Sequence, residues 1–138
     1  MTDSDTTMVT ETDTANISQH YAEFHIDAIH KNLQYKSSQA FDKYSVGSTV
    51  YLEFDYQCNH PIFVGIVINS FQQSVEHVLI ILNPRPDSFN HIYVDIGTTL
   101  MSNPDADNFN IVFGASLDEQ EGYTSGYGRI DNIKLLHF

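Results

Sequence analysis

Near the C-terminus, two tyrosines follow a short acidic and amide-rich stretch: Asp118-Glu119-Gln120-Glu121-Gly122-Tyr123-Thr124-Ser125-Gly126-Tyr127-Gly128. Aromatic ring faces stack on the C–H faces of sugars, while amides and carboxylates bond their hydroxyls. Tyr123, Tyr127 and Glu121 are therefore the candidate ligand-binding residues. The competing reading is that both rings cover the end of a hydrophobic core, and the lack of any Trp favours it.

Other reactive types are poorly arranged for catalysis. Cys58 and His60 are two residues apart and could couple on one strand face, but a buried, inert thiol is the commoner outcome. Seven histidines are present. They include no His-Glu-x-x-His pair, so a zinc hydrolase has no support, and they read as scattered surface groups. There is no Gly-x-Ser-x-Gly elbow, no phosphate-binding loop and no dinucleotide fingerprint. The reading is of a protein without catalytic residues.

The chain has 138 residues, with 18 Asp+Glu against 6 Lys+Arg and a formal charge of -12. A field of that sign repels phosphate backbones and anionic headgroups, which argues against nucleic-acid partners. One Cys excludes an internal disulfide. No apolar stretch is long enough to span a bilayer as a helix. The first 16 residues hold six Thr and four acids, with no base and no aromatic. Such a segment buries too little apolar surface to offset its ordering entropy. Residues 1–17 are expected to be a disordered acidic tether, and 18–138 a single β-domain.

The elements that must position any site are strands. Val50, Leu52, Phe54 and Tyr56 alternate with Tyr51, Glu53 and Asp55. Ile92, Val94 and Ile96, and Phe109, Ile111 and Phe113, alternate in the same way. Period two puts successive side chains on opposite faces, so each run is a half-buried strand. The runs 62–68 and 78–82 are apolar on both faces and suit central strands or a face covered by a loop. Strands are expected at about 21–27, 34–42, 49–57, 62–69, 75–82, 89–96, 108–116 and 128–137. Pro61, Pro84, Pro86 and Pro104 should fall between them. A short turn at 98–102 is expected, but no long helix. Asp131-Asn132 interrupts an apolar strand between Ile130 and Ile133, which suggests a bulge. This pattern predicts an all-β, two-sheet antiparallel sandwich. A jelly roll is preferred to an immunoglobulin fold, whose Cys–Trp–Cys signature is missing.

Val50-Tyr51-Leu52-Glu53-Phe54-Asp55-Tyr56, His60-Pro61-Ile62-Phe63-Val64-Gly65, Leu82-Asn83-Pro84, His91-Ile92-Tyr93-Val94-Asp95 and Arg129–Phe138 occur in that order. Together they resemble a group of small lipoproteins of Bacteroidetes-type bacteria. The closing strand is also similar to that of carbohydrate-binding-module-like jelly rolls. The resemblance implies a bacterial, secreted or outer-membrane-anchored cell-surface protein, with the signal and lipid anchor outside this chain. It implies a glycan-binding module; the alternative is an assembly subunit that binds a cell-surface protein. In such jelly rolls the Asp of the closing motif often ligates a structural calcium. That would need Asp131 with partners such as Glu23 or Asp27. Otherwise Asp131 bonds nearby backbone N–H groups and pins the bulge.

Overall fold

The computed structural model describes residues 3–5, 22–38, 40–42 and 49–137. It is an all-β sandwich. The strands are β1 (Asp3–Asp5), β2 (Ala22–Asp27), β3 (Asn32–Lys36), β4 (Phe41–Asp42), β5 (Val50–Cys58), β6 (Ile62–Asn69), β7 (Ser74–Leu82), β8 (Arg85–Asp95), β9 (Asn108–Ser116) and β10 (Ser125–His137). One sheet runs β1-β3-β9-β6-β7, with β4 also on β9; the other runs β2-β10-β5-β8. All pairings are antiparallel except β1 with β3. One helical turn, α1 (Gly97–Met101), follows β8.

Period two explains the layers. Val50, Leu52, Phe54, Tyr56 and Cys58 of β5 are all buried, and the residues between them are not. They face Ile62, Val64, Ile66 and Ile68 of β6 and Phe109, Ile111 and Phe113 of β9 across the sandwich. Phe54 meets Phe113 edge to face at 5.1 Å, and Phe24 of β2 meets Tyr35 of β3 at 5.5 Å, so aromatic contacts join the sheets.

Several expectations need correction. The run expected at 34–42 divides into β3 and β4. Buried Ser37 causes the break: its Oγ accepts from Ile111 N at 3.1 Å, and its carbonyl accepts from the Asn110 amide at 3.0 Å. Pro86 lies inside β8 rather than between strands. β8 is a sheet edge, so the missing N–H costs no ladder bond. β7 is likewise an edge and not central, which leaves several of its aliphatic side chains in solvent. Tyr35 of β3 packs against the core. Asp3–Asp5, from the N-terminal segment, pairs in parallel with β3. The remaining residues of 1–17 lie outside the described ones.

The expected bulge in β10 is present. Register slips by one residue between Asp131 and Lys134, and Asn132 takes a left-handed φ of 53°. Asn tolerates that conformation better than most residues. The extra residue keeps Ile130 buried and Ile133 packed on the core.

Candidate ligand-binding site

The tyrosine-bearing segment forms a 3₁₀ turn, Glu119–Glu121, and then the start of β10. Asp118 caps the turn by accepting from Glu121 N at 3.3 Å, and Gly122 ends it at φ 89°. Glu121 itself is exposed. Tyr123 is half-buried, 4.5 Å edge to face from the ring of His60. His60 is a buried structural histidine, not a surface group. Its Nε2 accepts from Asp118 N at 3.1 Å, so its Nδ1–H donates to the Pro61 carbonyl at 2.8 Å. Tyr123 thus covers this end of the core. It also lines a shallow cleft of about 290 Å³ with Ala28, Leu117, Glu119, Gly122 and Thr124. Tyr127 is separate from that cleft. It lies on the outer face of the four-stranded sheet, with the Arg129 guanidinium 4.9 Å from its ring centre.

Asp131, Glu23 and Asp27 share the same outer face, but their carboxylates do not converge. Asp131 Oδ1 accepts from Asn132 N at 2.7 Å, which pins the bulge. Glu23 pairs with Arg129 at 3.3 Å. Asp27 closes its own turn by accepting from Ile29 N and His30 N, which holds its carboxyl below the usual range. Calcium needs six to eight oxygens, and one of these carboxylates, Glu23, already pairs with a guanidinium. Among the described residues, no group of three or more His, Cys, Asp or Glu is arranged to hold a metal.

Cys58 and His60 do not couple. The thiol is fully buried, its Sγ lies 3.6 Å from the Asn83 carbonyl, and burial pushes its pKa up. A thiol kept protonated in the core is a packing element, not a nucleophile.

The same sheet face holds a charged cluster that the sequence did not announce. His91 of β8 bonds Asp55 through Nδ1 at 2.5 Å and Glu53 through Nε2 at 2.7 Å. Asp55 also accepts from the Asn132 amide at 2.6 Å. Tyr93 stands edge-on to the imidazole at 5.1 Å, and Lys134 pairs in register with Glu53. The bond to Asp55 is the main cause that raises the His91 pKa; desolvation opposes it, and the bond to Glu53 and the charges of both carboxylates add to the rise. A raised folded pKa stabilises the fold below the unfolded value of 6.5, and the gain is lost as pH rises through the folded value. His91→Gln should therefore melt below wild type at pH ~5.5 and match it at pH ~9. Paired thermal melts test this; a gap that widens with pH would refute it.

The outer face of the six-stranded sheet is different in shape. Gln34 of β3 donates to Glu76 of β7 at 2.6 Å, although β9 and β6 lie between those strands. By register, Gln34 lies level with Gly114 and Phe63, and Glu76 with Val67. On a flat sheet the two would be roughly 19 Å apart, well beyond the reach of two side chains. The sheet is therefore strongly coiled, and this face is concave. Gly65, Val112 and Gly114 form its floor. Val112 is fully buried although it lies outside the core between the sheets. The Phe63 ring lies over Gly114. At one end an amide ladder crosses the strands. Ser74 Oγ donates to Asn69 Oδ1 at 2.8 Å, Asn69 Nδ2 donates to Asn108 and Asn110 at 2.7 and 2.9 Å, and Asn110 Nδ2 donates to Ser37. Lys36 lies in register with Val112 on the same face. Beyond the ladder, the 70–73 turn and residues 102–106 enclose a second cleft of about 260 Å³.

The fold is similar to two solved carbohydrate-binding modules. One is a mutant of a family 29 carbohydrate binding module, with a TM-score of 0.50 and 12% identity over 95% of this chain and 89% of that one. The other is TmCBM61 in complex with β-1,4-galactotriose, with a TM-score of 0.51 and 12% identity over 94% and 80%. No family model and no curated protein matches the chain. The chain thus has the jelly-roll sandwich fold of carbohydrate-binding modules, and at this identity the likeness is one of fold alone.

Proposed function

We propose that this chain is a non-catalytic glycan-binding module of a secreted or outer-membrane-anchored protein, and that the concave sheet face receives the sugar. The observation that carries this reading is the Gln34–Glu76 pair closing over the floor of Gly65, Val112 and Gly114, with Phe63 and Val67 beside it. Sugar rings present apolar C–H faces and a rim of hydroxyls. The floor suits the first, while the Glu76 carboxylate, the Gln34 amide and the asparagine ladder suit the second. A groove along a sheet fits an extended chain better than a single ring. A ligand hydroxyl can replace either partner of the Gln34–Glu76 bond, so opening the pair leaves neither group unbonded.

The test is titration calorimetry against neutral β-linked oligosaccharides, beginning with β-1,4-galactotriose, the ligand in the family 61 structure. A hydrogen bond to a charged group contributes about 1.5–3 kcal/mol, so Glu76→Ala should weaken binding by about 10- to 100-fold. Gln34→Ala should weaken it less. A Tyr123→Ala/Tyr127→Ala double variant should bind as wild type, as should wild type in chelator. Loss in the double variant with Glu76→Ala unaffected would move the site to the 122–128 segment. Loss in chelator alone would restore the calcium expectation at Asp131. No binding of any glycan by wild type would overturn the reading.

A further inference from the structure

We propose that the cleft between the 70–73 turn and residues 102–107 is a second sugar subsite, where the Phe71 ring stacks on a neutral pyranose one step beyond the asparagine ladder. The proposal rests on the reading of the concave face as a glycan site. A single apolar side chain in solvent needs no explanation by itself. Phe71, 92% exposed, differs because the backbone fixes it at the rim of a polar cleft. Phe71 and Gln72 are the central residues of a tight turn, in which Ser70 N and Ser70 Oγ both donate to the Gln73 carbonyl, at 2.8 and 3.1 Å. The opposite wall is a second turn. Ala106 N donates to the Asn103 carbonyl at 3.0 Å, and Asn103 Nδ2 donates to the Thr99 carbonyl of α1 at 2.8 Å. The two walls are tied together where Asp107 N donates to the Asn69 carbonyl at 2.8 Å. The cleft is thus shaped before a ligand arrives, which lowers the ordering cost of binding.

The lining identifies the occupant. The inner part, about 260 Å³, is lined by Ile68, Val75 and His77 among others. It widens toward Phe71, where Gln72, Asp105 and Asp107 join. An aromatic face beside amides and carboxylates matches the apolar C–H face and the hydroxyl rim of a sugar. Asp105 and Asp107 accept hydroxyl protons and, in a chain of charge -12, repel anions. The occupant is therefore a neutral sugar and not a uronate. Position makes this subsite an extension of the groove. Asn69 and Ser74 of the ladder flank the turn on either side, and Asn108 of the ladder follows Asp107. Glu76 lies about 7 Å along β7 from Ser74, and Phe71 is farther on, around the turn. A short oligosaccharide held at Glu76 ends over the ladder, whereas a longer one reaches Phe71.

The experiment is titration calorimetry on the full chain with trimers and hexamers of β-1,4-linked galactose and of β-1,4-linked glucose. Wild type should bind the hexamer of its preferred sugar more tightly than the trimer. Phe71→Ala alters a side chain in solvent, so it should melt as wild type. It should weaken the hexamer by about 2- to 10-fold and leave the trimer unchanged. Phe71→Tyr keeps the ring and should restore hexamer binding. A galacturonate hexamer should bind more weakly than the neutral one. Unchanged hexamer affinity in Phe71→Ala overturns the subsite, as does equal weakening of trimer and hexamer. A galacturonate hexamer that binds as well as the neutral one overturns the assignment of a neutral sugar. If Glu76→Ala still weakens both lengths in those cases, the concave-face reading stands without the subsite. Wild type that binds none of these glycans overturns both.

Discussion

Phe54→Ala should remove a large part of the stability of this fold. Phe54 is fully buried in β5, edge-on to Phe113 across the sandwich and 6.3 Å from Tyr56. Truncating a buried Phe loses its transfer free energy and leaves a cavity, together about 3–5 kcal/mol. Domains of this size are held by about 5–15 kcal/mol in all, so the variant should unfold at a much lower urea midpoint. Phe54→Leu keeps most of the volume and should cost markedly less. The concave face should be spared while the chain is folded, because Phe113 points into the core between the sheets and its neighbours Val112 and Gly114 point to the other face of β9. Glycan binding by Phe54→Ala should fall with the folded fraction and not below it. A loss of unfolding free energy under about 1 kcal/mol would mean that the two sheets do not meet at this contact.

Most of the sandwich is legible in the sequence because its signals are local. Strict alternation in β5 and β9, turn residues between strands, and the Asp131-Asn132 interruption each report on backbone within a few residues. What failed was non-local. An apolar run on both faces cannot distinguish a central strand from an exposed edge, so β6 and β7 look alike although one is buried and the other is not. Pro86 gives no sign that its strand has only one neighbour. The concave face was hidden for the same reason. Gln34 and Glu76 are 42 residues apart, and only sheet coiling brings them together. The tyrosine segment drew attention because its residues are adjacent in sequence. In space, Tyr123 covers His60 and Tyr127 stacks with Arg129 on another surface.

Gly65→Ala should separate the fold from its binding face. A Cβ at Gly65 would stand 2.5 Å from the His77 carbonyl oxygen and 3.3 Å from Val78 Cα. Both are backbone atoms of β7, so no rotamer change can relieve the clash. The clash falls where register slips between Val64–Ile80 and Gly65–Val78, and the bulge leaves β7 no slack. β7 must move away from β6, at a cost of about 1–3 kcal/mol. The core between the sheets is built largely from β5, β6 and β9 and can survive this loss, so the chain should remain folded with a lower midpoint. Glu76 sits one residue before His77 and would move with the strand. Glycan affinity should then fall at least as far as in Glu76→Ala. Hydrogen exchange should show the change first in 74–82, with β5 and β9 amides still protected. Gly128→Ala provides the contrast. Its added methyl meets only the side-chain ends of Phe24 and Ile62 in the core, so it should lower stability while sparing affinity. If Gly65→Ala binds glycan like wild type at a temperature where it is fully folded, β7 does not form a wall of the site.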